Sequence, residues 1–72
     1  MQLNEAIQRL WYWRKGGTSF TCQLFDLMAK ADPQNLQKLS ESFPVEAQAY
    51  LFWRASGSEK GFFKAYGLEI AS

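Results

Sequence analysis

Apolar residues along the chain recur three and four positions apart in five runs, each bounded by glycine, proline or a capping side chain. In the first run Leu3, Ile7, Leu10 and Trp11 share one helical face. Asn4 is the expected N-cap, with Glu5 in the first turn, where the helix dipole favours an acid. Glu5 and Arg9 stand as an i, i+4 pair. Arg14 and Lys15 occupy the last turn, and Gly16-Gly17 ends the helix. A second helix is expected from Thr18 or Ser19, with Phe20, Leu24, Leu27, Met28 and Ala31 as its buried stripe. Phe25 lies beside that stripe and Cys22 off it, while Asp26 and Lys30 form an i, i+4 pair.

Asp32-Pro33 stops this helix and starts the next, because proline is disfavoured inside a helix and suited to its first position. The third run places Leu36, Leu39 and Phe43 on one face, with Gln34, Gln37, Lys38 and Glu41 elsewhere. Pro44 repeats the device. In the fourth run Val45, Ala49, Phe52 and Trp53 form the expected face, flanked by Tyr50 and Leu51, before Ser56-Gly57-Ser58 breaks it. A short fifth helix over residues 58–66 would bury Phe62, Phe63 and Tyr66, with Gly67 at C′. Gly61 weakens that element by about 1 kcal/mol relative to alanine. Leu68 and Ile70 are expected to fold back as an apolar tail. No two-residue alternation runs long enough to argue for a strand.

The reading is an all-α, single small domain over residues 1–72, built from four or five short helices. Its short connections predict an irregular orthogonal bundle over a long up-down one. Leu24, Leu27, Phe52 and Trp53 are the expected core, each costing about 2–5 kcal/mol when cut to alanine.

Composition narrows the class of function. The apolar fraction is 47% and twelve residues are aromatic (six Phe, three Trp, three Tyr), which excludes intrinsic disorder. The net charge of +1 gives no sign of a strongly basic nucleic-acid binder. With no His and one Cys, the chain offers no His-based general base, His-containing zinc site, intramolecular disulfide or cysteine metal cluster. Asp26, Asp32, Glu41 and Glu46 read as caps and solvated faces, and nothing pairs a nucleophile with an activating base. No enzyme activity, cofactor or metal is expected. A lone Cys22, the absence of a signal-like stretch at Met1–Glu5 and the lack of an apolar run of membrane-spanning length together predict a cytoplasmic protein without a membrane partner.

The cluster Trp11-Tyr12-Trp13-Arg14-Lys15 is the most unusual local feature. At 100° per residue, consecutive aromatics cannot all face one core. Trp13 lies about 200° around the helix from Trp11 and is expected outside, so Tyr12, Trp13, Arg14 and Lys15 form the candidate interaction patch. The leading reading is a non-catalytic protein-interaction module, its partner another protein or a second copy of itself. The competing reading is a single-stranded nucleic-acid binder, in which the same aromatics stack on bases while Arg9, Arg14 and Lys15 follow phosphates. It ranks second, because residues 1–15 carry three cations and one acid, an ordinary imbalance. A helix-turn-helix across Ala31-Asp32-Pro33 is disfavoured: the turn is short, lacks glycine, and sets Asp32 and Glu41 against phosphate.

The run Phe20-Thr21 … Leu24 … Leu27 … Lys30-Ala31-Asp32 … Asn35 … Lys38-Leu39 … Phe43-Pro44 … Glu46 … Ala49 … Trp53 resembles small uncharacterised proteins of bacteria, their phages and mobile elements. The resemblance implies no activity and no site residues.

Overall fold

The computed structural model describes residues 1–69 and contains five helices in succession. They are α1 (Leu3–Arg14), α2 (Phe20–Lys30), α3 (Pro33–Ser42), α4 (Pro44–Ala55) and α5 (Glu59–Lys64). No strand occurs among the described residues, so the class is all-α.

Local hydrogen bonds explain the breaks. Ser19 Oγ accepts from the Cys22 N–H at 3.3 Å, Asp32 Oδ1 from Asn35 N–H at 2.8 Å, and Ser58 Oγ from Gly61 N–H at 3.2 Å. Each bond satisfies an N–H that has no partner within its helix. Pro33 and Pro44 stand at the first helical positions, as expected. The start of α1 departs from expectation: the helix begins at Leu3, Gln2 is the cap, and no side chain caps it. Asn4 therefore lies inside the first turn. Helical geometry at Leu3 packs it against the core, a gain that offsets the missing cap.

Helix α1 ends in a Schellman turn. The Gly17 N–H donates to the Tyr12 carbonyl at 2.8 Å and the Gly16 N–H to that of Trp13 at 3.0 Å. Gly16 takes φ +95°, which a side chain would resist. At Gly17 a Cβ would sit 2.8 Å from the Tyr12 oxygen and 2.9 Å from Cys22 Sγ. Only glycine lets the start of α2 close onto the end of α1. The same turn recurs after α5, where Gly67 N–H reaches the Lys64 carbonyl at 3.0 Å and Leu68 N–H that of Phe63 at 2.9 Å. Gly67 is the expected C′ residue, although the regular helix spans only Glu59–Lys64 and its last turn tightens.

Helix α1 packs against both α2 and α4, and α4 also contacts α2 and α3. The buried cluster includes Ile7 and Leu10 of α1, Phe25 and Met28 of α2, Tyr50 of α4 and Phe63 of α5. Two expected faces are rotated. On α2 the core takes Cys22, Leu24, Phe25 and Met28, while Leu27 is 53% exposed and Phe20 72% exposed. On α4 it takes Ala47, Ala49 and Tyr50, leaving Leu51 and Phe52 outside and Trp53 half-buried. Each buried face sits about a quarter turn from its expected place. Of the four expected core residues, Leu24 is buried and Trp53 partly so, whereas Leu27 and Phe52 are not core.

On α5, Phe63 is fully buried and Phe62 half-buried, but Tyr66 is exposed. Leu68 folds back onto the core as expected, and Ile70 lies outside the described residues.

Candidate functional site

The aromatic cluster at the end of α1 is assembled differently from its expectation. Tyr12 is 50% exposed. Trp13 is half-buried and packs on the core, its ring centroid 5.9 Å from Phe25 of α2 and 5.5 Å, edge-on, from Trp53 of α4. The expected exposure of Trp13 is thus corrected. Neighbours lie on more than one side of α1, so aromatics about 200° apart can both be covered.

Arg14 and Lys15 are drawn toward this cluster. The Arg14 guanidinium lies 5.0 Å from the Trp13 ring and 5.2 Å from that of Trp53, within cation–π range of both. Arg14 Nε donates to Glu59 Oε1 at 2.6 Å, and Trp53 Nε1 donates to the same oxygen at 3.2 Å. Lys15 Nζ stands 4.2 Å from the Trp11 ring, whose Nε1 donates to the Glu69 carbonyl at 2.7 Å. This corner clamps the end of α1 to α4, to α5 and to the segment after it. Trp13→Ala is accordingly expected to cost about 2–4 kcal/mol of unfolding free energy, somewhat less than a fully buried aromatic. Urea unfolding followed by circular dichroism measures it, and a loss below about 0.5 kcal/mol would show that Trp13 is not a packing residue.

Cys22 is buried at the α1–α2 contact, its Sγ 3.8 Å from the Arg9 carbonyl. Among the described residues no three His, Cys, Asp or Glu side chains come together in a way that could hold a metal ion. No helix among them is long and apolar enough to cross a membrane.

A second surface emerges from the rotation of α2. Phe20 and Leu27 face outward with Leu24 beneath them, and Leu39 of α3 and Phe43 at the α3–α4 junction form the opposite wall. The Phe20 and Phe43 rings are 6.1 Å apart. Together these residues line an open groove of about 440 Å³. It continues past Leu27 and Leu39 into a recess of about 400 Å³ lined by Ala31, Asn35 and Lys38. Asp26, Lys30, Asp32 and Lys38 stand along the edges, with Lys30 Nζ 3.0 Å from Asp26 Oδ2. The groove thus joins contiguous apolar surface to charges of both signs along its edges.

The expected patch and this groove share no residue. A signal for the groove was present in the α2 sequence. Its apolar positions Phe20, Cys22, Leu24, Phe25, Leu27 and Met28 cover an arc of about 220°, more than one buried face requires. Comparison of the chain with protein-family models, curated proteins and solved structures finds no match. The functional reading therefore rests on the residues themselves.

Proposed function

We propose that this chain is a non-catalytic protein-interaction module whose contact surface is the groove between α2 and α3. The observation that carries the reading is the open apolar groove formed by Phe20, Leu24, Leu27, Leu39 and Phe43, with charges of both signs on its rim. Grooves of this shape take the apolar face of an amphipathic helix, whose anchors repeat at i, i+3 or i+4 and i+7. At the α1 corner Trp13 is spent on packing and Arg14 is held by Glu59, leaving Tyr12 as the open aromatic of the original patch.

The nucleic-acid alternative draws on that corner, through Tyr12, Arg9 and Lys15. A photo-reactive phenylalanine analogue placed at Leu27, and separately at Tyr12, distinguishes the two in cells producing the chain. Irradiation is expected to yield protein adducts from position 27 that resist nuclease. Adducts only at position 12, removed by nuclease, would support the nucleic-acid reading and overturn the present one. Salt dependence gives an independent check, since phosphate binding weakens steeply with ionic strength while apolar contact does not.

A further inference from the structure

Resting on the groove as the contact surface, we infer that its α3 wall is a hinged element that opens while α1, α2 and α4 stay folded. The α2 wall is fixed. Helices α1, α2 and α4 each pack against the other two and form a closed core, whereas α3 lies outside that set and packs on α4. Of the five helices, α3 alone has no buried residue. Its Leu36 and Leu39 meet the core half-buried, and Gln34, Asn35, Gln37, Lys38 and Glu41 are exposed.

Polar bonds divide the molecule in the same place. Arg14 joins α1 to Glu59 of α5, and Trp53 Nε1 joins α4 to the same carboxylate. The Cys22 thiol of α2 reaches the Arg9 carbonyl of α1. The bonds of α3 stay local: Asp32 accepts from the Asn35 and Leu36 N–H groups, Ser40 Oγ donates to the Leu36 carbonyl, and the Phe43 N–H donates to that of Leu39. Among the described residues no hydrogen bond or ion pair ties α3 to another helix.

Both ends of α3 are built to turn. Ala31 and Asp32 are extended, with ψ 141° and 171°, and Phe43 (φ −132°, ψ 66°) separates α3 from α4. Pro33 and Pro44 have no N–H, so the helical ladder is interrupted at each junction. The Phe43 carbonyl accepts from the Ala47 N–H, a bond of α4 that survives when α3 opens. Opening α3 therefore breaks its own internal bonds and releases two half-buried leucines, while opening any other helix uncovers buried side chains. Leu24 and Leu27 stay in place as Leu39 moves, and the width of the groove adjusts to its occupant.

Native-state hydrogen exchange of the full chain, read amide by amide by NMR, tests the hinge. Amides of residues 37–43 are expected to be protected at least tenfold less than those of Leu10, Phe25 and Tyr50. Two glycine substitutions at exposed positions separate local from global opening. Gln8→Gly in α1 is expected to speed exchange at Leu10, Phe25 and Tyr50 about threefold and to leave residues 37–43 unchanged, since α1 is helical whether α3 is closed or open. Gln37→Gly is expected to speed both sets about threefold. Protection of residues 37–43 equal to that of the core, or a threefold response there to Gln8→Gly, would show that α3 opens only with the whole molecule and would overturn the hinge. Such a result leaves a rigid groove, which nuclease-resistant adducts at position 27 would still uphold as the contact surface and their absence would remove.

Discussion

Phe25→Ala is expected to lower the unfolding free energy by about 3–5 kcal/mol, the largest loss at any single position of α2. Phe25 is the largest fully buried side chain of the helix, and its ring meets Trp13. Truncation removes the transfer energy of a buried aromatic and leaves a cavity that neighbours in a packed interior refill only partly. A chain of this length has about 4–11 kcal/mol of stability in total. The variant therefore loses a large share of it, and Tm is expected to fall by roughly 15 °C or more. Leu27→Ala, two positions away on the same helix, is expected to cost less than about 1 kcal/mol, because that side chain is already half in solvent. Urea titrations of the two variants, compared at equal m, measure the contrast. Equal losses would place the buried face of α2 where periodicity alone put it.

Phe63→Ala is expected to cost a similar 3–5 kcal/mol, although it lies in a helix of six residues. A helix that short has no stability of its own. It is held by what it buries: Phe63 belongs to the same core as Ile7, Leu10 and Phe25. Leu68 packs beside that core after the Gly67 turn, and the Trp11 indole bonds the Glu69 carbonyl. Losing the Phe63 ring should loosen all three. Hydrogen exchange is expected to show reduced protection of the Leu68 N–H, which bonds the Phe63 carbonyl, and of amides in α1. Loss of protection confined to residues 58–68, with urea unfolding unchanged, would show α5 to be an accessory and not a part of the core.

The candidate site was the least legible part of the chain. The cluster Tyr12, Trp13, Arg14, Lys15 drew notice because consecutive aromatics on one helix cannot share a face. That geometry is sound, but it supposes a helix covered from one side. Trp13 meets α2 and α4 through Phe25 and Trp53, and Arg14 finds Glu59, a residue 45 positions later. No local pattern announces such a partner. The groove was hidden for the opposite reason, since each of its walls reads as core: Phe20, Leu24 and Leu27 as the stripe of α2, Leu39 and Phe43 as the stripe of α3.

What the sequence determined by itself is the set of elements and most of their ends, the uncapped start of α1 and the early end of α5 excepted. Ser19, Asp32-Pro33, Pro44, Ser58 and the glycines at 16, 17 and 67 act through bonds and dihedral limits spanning no more than six residues, so local chemistry decides them. Tertiary structure decided which flank of each helix is buried. On α2 the two overlapping stripes, Phe20–Leu24–Leu27 and Cys22–Phe25–Met28, are nearly equal in apolar content, and periodicity cannot rank them. The Gly16-Gly17 turn and the small residues Ala6, Ala47 and Ala49 in the core allow close approach of α1 to its neighbours, and Cys22 fits beside Gly17. Docked there, α2 turns Phe25 and Met28 inward. Phe20 and Leu27 are left on the outside because a helix buries against a given neighbour only the arc that faces it.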